Sequence, residues 1–94
     1  MSGFDVVTGE LSAGAAFTED VHADLSAELA RIAALVEDAL SASWRGDAAS
    51  AFGVAWAEWA AGAREVLAAL SAMSSSLRAT GSTYAAAENA SVLP

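Results

Sequence analysis

The chain has 94 residues, of which twelve are acidic and four are arginine, with no lysine and a formal net charge of −8. This charge repels nucleic-acid phosphates and anionic lipid headgroups, so it excludes nucleic-acid binding and disfavours membrane contact without forbidding it. The absence of cysteine excludes disulfides, thiolate metal sites and a cysteine nucleophile. One short, alanine-rich domain whose single proline is its last residue is typical of an all-α fold.

The N-terminal segment, up to Leu11, has no sustained hydrophobic period, and we interpret it as a flexible arm whose Phe4 and Val6 are available to dock on a neighbour. It also lacks the basic start and apolar core of a cleaved signal peptide. No run of about 18 apolar residues follows that would span a bilayer. Export would therefore need a signal elsewhere in the chain.

Apolar side chains then recur at helical spacing and predict a first helix over about residues 12–42. Ser12 and Thr18 are alternative N-caps, and we favour the earlier start because Ala15 and Ala16 are strong helix formers. The packing stripe of this helix is Val21, Leu25, Leu29, Ile32, Val36 and Leu40.

A turn is predicted over residues 43–47, where the stripe fails and Trp44-Arg45-Gly46-Asp47 follows. Glycine permits a left-handed conformation at this point, and Asp47 is able to cap a new helix. Burial of the Trp44 ring would fasten the two helix ends together.

A second helix is predicted over about residues 48–88, with flexible ends beyond the two helices. Its apolar residues alternate at spacings of four and three, which is a heptad pattern, and Tyr84 continues the phase. Val54, Leu67 and the glycines at 53 and 62 lie off this predicted seam. The seam consists of Phe52, Trp56, Trp59, Ala63, Val66, Leu70, Met73 and Leu77, and we assign its two tryptophans to packing.

Two helices of similar length joined by a short turn predict an antiparallel hairpin. A hairpin has one contact line, which leaves part of both apolar surfaces uncovered. The sequence therefore predicts that two hairpins pair into a four-helix-bundle dimer.

The residues at the bend resemble the signature of the WXG-100 family. Trp44, Gly46, Ala48 and Phe52 follow one another at the spacing usual in that family, in a chain of the right length. Tyr84-Ala85-Ala86-Ala87-Glu88 is similar to its Tyr-x-x-x-Asp/Glu export motif near the C-terminus. The resemblance covers essentially the whole chain.

The resemblance implies a protein secreted without a cleaved signal peptide by a type VII (ESX) system, which a membrane ATPase drives. Such proteins cross the envelope folded, as dimers with a paralogue or with themselves. The bend of one subunit, here Trp44 and Gly46, would combine with the partner's tail motif, and Tyr84 and Glu88 would supply the tail motif of this chain. In many such pairs one tail motif suffices.

Catalysis, cofactors and metals are not expected. His22 is the only histidine, and with Asp20 and Asp24 close in sequence it is interpreted as part of a solvated helix face. A single histidine among many serines does not assemble a nucleophile, base and orienting acid. Two other functions stay open, a secreted membrane-active pore component and a cytoplasmic homodimeric coiled-coil module.

Overall fold

The computed structural model describes residues 3–42 and 44–92, except for the side chains of residues 4, 42, 91 and 92. Within these ranges the chain forms two long α-helices, α1 over Gly3–Ala42 and α2 over Asp47–Val92, and no strand. The predicted all-α hairpin is confirmed. The first residue of the predicted turn, Ser43, lies outside the described residues, as does the side chain of Phe4.

α1 begins at Gly3, so the predicted start near residue 12 and the flexible arm before it are wrong. Thr8 and Gly9 have low helix propensity, which is why the local sequence did not indicate a helix. The segment nevertheless packs against α2, whose backbone comes so close at Gly81 that a Cβ there would lie 3.8 Å from Leu11 Cβ. Contact with α2 stabilises the helical conformation of this segment, which its helix propensity alone would not stabilise.

Gly46 lies in the bend between the helices and has a positive φ of 100°. Before it, the Trp44 N–H donates to the Ala39 carbonyl at 3.3 Å, and the Gly46 carbonyl accepts from the Ser50 N–H at 3.0 Å. Gly46 is therefore the N-cap of α2 and Asp47 is its first helical residue, so the cap lies one position earlier than predicted. The left-handed conformation predicted for this glycine is confirmed.

The chain divides into two compact units, and each unit contains a part of both helices. The first unit combines Met1–His22 with Ala69–Pro94, and the second is Ala23–Ala68. In each unit the two helix segments run antiparallel, because residues equally distant from the bend face each other.

The glycines at which α1 and α2 come close together show which residues of the two helices lie opposite each other. In the first unit, a Cβ on Gly14 would lie 3.6 Å from Leu77 Cδ1. In the second unit, a Cβ on Gly53 would lie 3.7 Å from Leu40 Cδ1. These are ordinary van der Waals distances, so both pairs of segments are in direct contact.

The face of α2 that packs against α1 is not the predicted seam. Half of that seam is half-buried, namely Trp56, Ala63, Leu70 and Leu77. The other half is exposed, and we call it the outer row: Phe52, Trp59, Val66 and Met73. The residues that face α1 instead lie one position later in the sequence. They are Gly53, Ala60, Leu67 and Ser74, which we call the inner row.

The inner row corrects the expectation that Gly53 and Leu67 lie off the seam. Both rows repeat every seven residues and both flank the same central positions, so periodicity does not choose between them. The inner row contains three small residues and one leucine, which permits a closer approach of α1 than the large side chains of the outer row would.

The core is made of small side chains. The buried residues are Ala15, Ala49, Ala60, Thr18 and Ser74, and no large side chain in the described part of the chain is fully buried. Thr18 is inside α1, where its hydroxyl donates to the Gly14 carbonyl at 2.8 Å, so it is not an N-cap. A core of this kind contributes little apolar burial, and half of the large apolar side chains in the described part of the chain are exposed.

Candidate partner-binding surfaces

The bend presents an aromatic pair beside a shallow pocket. Trp44 and Phe52 are about two-fifths exposed, with ring centroids 5.1 Å apart at an angle of 50°. The pocket, of about 300 Å³, is lined by residues of both helix ends and of the bend between them, including Arg45. The Trp44 ring thus packs on Phe52 of α2 without being buried, and part of it stays available for recognition.

The tail motif lies on α2 in the first unit, whereas the bend lies in the second. Tyr84 is 37% exposed and Glu88 is half-buried one helical turn later. The weak helix formers before them do not interrupt α2, in which the hydroxyls of Thr80 and Thr83 donate to the carbonyls one turn earlier at 2.9 and 3.1 Å. The motif is therefore presented by a continuous helix.

A groove of about 560 Å³ with an apolar lining runs between α1 and α2 in the second unit. Trp59 and Val66 of the outer row form its α2 side, each 54% exposed, and Leu25 on the α1 side is 44% exposed. Gly62 lies between Trp59 and Val66, and nothing lies within 4 Å of where its Cβ would be. The groove therefore has an open position between two large side chains.

The rings of Trp56 and Trp59 stack in this unit, with centroids 5.2 Å apart and an interplanar angle of 27°. Trp56 is half-buried between the helices, and its neighbour extends the aromatic surface outward. The stacked arrangement holds Trp59 in place although about half of its surface is accessible.

Among the predicted packing residues of α1, Leu25 alone is exposed. The half-buried members are Val21, Leu29, Ile32, Val36 and Leu40. The predicted set thus divides into residues that pack within the chain and residues that face outward.

One acidic side chain lines the groove, and others lie next in sequence to groove residues. Glu28 lines it and forms an ion pair with Arg31. The other acids nearby are exposed and each immediately precedes an exposed groove residue, namely Asp24 before Leu25, Glu58 before Trp59 and Glu65 before Val66. Arg64 points away, because its position on α2 is roughly 200° around the helix from Gly62.

A polar cluster links the helices in the first unit. Glu19 Oε1 accepts hydrogen bonds from Arg78 Nε at 2.7 Å and from the buried Ser74 Oγ at 2.9 Å, and Glu19 Oε2 accepts from Arg78 Nη2 at 2.8 Å. These hydrogen bonds, that from Arg78 above all, lower the pKa of Glu19 from 4.5 to about 2. We call Glu19, Ser74 and Arg78 the Glu19 cluster.

The apolar patterns do not predict the Glu19 cluster, because Glu19, Ser74 and Arg78 belong to neither the predicted stripe of α1 nor the predicted seam of α2. The position of the bend in the sequence is the feature that could have indicated this cluster. Residues equally distant from Gly46 face each other, which places Glu19 opposite Met73. Glu19 therefore lies next to Ser74 and within reach of the long side chain of Arg78.

His22 lines a small polar pocket of about 170 Å³ with Glu19 and three serines, among them Ser74. The hydroxyl of this serine donates to Glu19, not to the imidazole. In the described residues, no group of three or more His, Asp or Glu side chains is arranged to hold a metal ion. The described helices likewise contain no segment long and apolar enough to cross a membrane.

A comparison with protein families finds a match over both helices and the bend. The matching family is described as WXG100, proteins of 100 residues with WXG, and its model matches residues 3–89. No curated protein and no solved structure matches the chain. Trp44, Gly46, Tyr84 and Glu88 all lie within the matched segment.

Proposed function

The chain belongs to the WXG100 family, and from this membership we propose that it is a substrate of a type VII (ESX) secretion system. It is exported as a folded dimer with another WXG-100 protein, a paralogue or a second copy, and acts outside the cell by binding proteins, not by catalysis. The exposed apolar surface carries this proposal, since the four large outer-row side chains are 41–54% exposed in the single chain.

Dimerisation explains why large side chains face outward. A hairpin with an alanine core is marginally stable by itself, because a domain shorter than about 100 residues buries a smaller fraction of its surface than a larger one. Covering Phe52, Trp59, Val66 and Leu25 with a second hairpin would complete a four-helix bundle. The same contact would remove these side chains from water.

The export signal is proposed to be composite. Trp44, with its partly exposed ring, and Gly46, with its positive φ, give the bend a defined shape that the partner's tail would complete. Tyr84 and Glu88, one turn apart on continuous helix, offer an aromatic ring and a carboxylate from this chain. The membrane ATPase of the secretion system would recognise the combined surface.

Export in the native host tests the proposal. Trp44→Ala and Tyr84→Ala should each lower the amount of tagged protein in the culture filtrate at least tenfold, while the amount in the cells is maintained. Both rings are partly exposed, so the variants should keep their helical circular dichroism.

Val54→Ala is the matched control, because Val54 is 62% exposed on α2 and belongs to neither motif. It should be exported like the wild type. Export of both motif variants at the wild-type level would disprove the proposed signal, and retention of the wild-type chain in a secretion-competent host would disprove the proposed function.

A further inference from the structure

The groove in the second unit contains a feature that dimerisation in general does not require. Gly62 lies open between Trp59 and Val66, whose side chains stand about one helical turn to either side of it. Across the groove, Leu25 is exposed and Leu29 and Ile32 are half-buried. The shape is that of a socket for one large apolar side chain of a partner helix.

Acidic side chains outnumber basic ones around this socket. Glu28 lines the groove and is paired with Arg31, and Asp24, Glu58 and Glu65 each immediately precede a groove residue in sequence. Two copies that meet through this groove would place the same acids opposite each other, since a two-fold interface joins a surface to itself. Like charges facing each other across an interface oppose association.

From these observations, and on the basis of the proposed dimerisation, we propose that the groove accepts a helix of a different protein. This helix carries an apolar stripe flanked by lysine or arginine, and one of its large apolar side chains inserts over Gly62. Gly62 therefore determines which partner fits, and the four acids exclude a second copy of this chain.

The test uses two synthetic helical peptides of about 25 residues, a length sufficient for helix formation in water. Both have leucine at the a and d positions of a heptad repeat, and the flanking positions hold lysine in one peptide and glutamate in the other. Binding to the purified full chain is measured by calorimetry at physiological ionic strength. The lysine peptide should bind at least tenfold more tightly than the glutamate peptide.

Gly62→Leu fills the socket and should weaken binding of the lysine peptide at least tenfold. Ala61→Leu is the matched control, because Ala61 is the exposed preceding residue and does not line the groove. Leucine is a better helix former than glycine and only slightly worse than alanine, and both positions are exposed, so neither variant should lose the fold. Equal binding by both variants would overturn the role of Gly62, and equal binding of both peptides would overturn the role of charge.

Sedimentation of the chain alone tests whether a second copy of the chain binds to it. The wild-type chain should remain monomeric at the concentrations used for calorimetry. A wild-type dimer that Gly62→Leu dissociates would overturn the proposal in favour of self-association. Failure of either export variant to behave as expected would leave these binding results intact, so the proposed function and this inference fail separately.

Discussion

At the scale of single residues, Gly46 has the clearest structural requirement. Its φ of 100° lies in the region that L side chains rarely adopt, and its carbonyl begins the hydrogen bonding of α2. Space is not the reason, because a Cβ there would have nothing within 4 Å. The glycine of the family signature is thus explained by backbone conformation.

Gly46→Ala should lower the free energy of unfolding by about 1 kcal/mol, because alanine must adopt a strained positive φ. Gly62→Ala is the control, since Gly62 is also open but inside a helix, and it should raise stability by about 0.5–1 kcal/mol. Urea unfolding of both variants measures the difference. Equal effects of the two substitutions would show that the bend does not require glycine.

The lowered pKa of Glu19 makes the stability of the folded chain depend on pH. Hydrogen bonds from Arg78 and Ser74 lower its pKa to about 2 in the folded state, from a usual value of 4.5. Since the folded-state pKa is the lower one, the Glu19 cluster contributes stability that is fully present above about pH 4.5 and is lost as the pH falls towards 2. The effect is reduced by solvent screening, because the ion pair is about half exposed.

We expect the urea midpoint of the wild type to fall more steeply between about pH 5 and pH 2 than that of Glu19→Gln. Arg78→Met, which keeps an apolar stem without the charge, provides the second arm. In that background Glu19→Gln should change the pH profile less. Identical pH profiles for the wild type and Glu19→Gln would contradict the assignment of the Glu19 cluster.

At the scale of elements, α2 carries two neighbouring rows with the same seven-residue period. The inner row faces α1 and the outer row faces outward, and they share Trp56, Ala63, Leu70 and Leu77 as common neighbours. The sequence pattern identified a heptad helix and half of its seam. The other half was assigned to the larger residues, whereas the hairpin packs on the smaller ones.

The adjacent pair Val66 and Leu67 tests this assignment. Val66→Ala should change the stability of the isolated chain by less than about 0.5 kcal/mol, because Val66 is 54% exposed. Leu67→Ala should cost about 1 to 2 kcal/mol, because Leu67 is half-buried against α1. Urea unfolding of the two variants compares them, and the reverse order would restore the seam predicted from the sequence.

At the scale of the whole molecule, a core of alanine, serine and threonine coexists with large apolar side chains at the surface. Twelve acidic groups against four arginines keep such a surface soluble through net charge, at some cost in self-repulsion. Binding a partner would add the missing apolar burial, and any ligand of the folded state raises its stability by mass action. Stability and function are in this way linked through the same surface.

The amino-acid pattern was sufficient to predict two helices, the bend, the glycine at its centre and the family. These features depend on neighbours in sequence: periodic apolar residues, helix propensity and a glycine between them. The start of α1, the inner row and the Glu19 cluster were decided only by tertiary structure. Each depends on which residues of the other helix lie opposite, and the sequence pattern does not identify that pairing because small packing residues give a weaker hydrophobic signal than the large residues beside them.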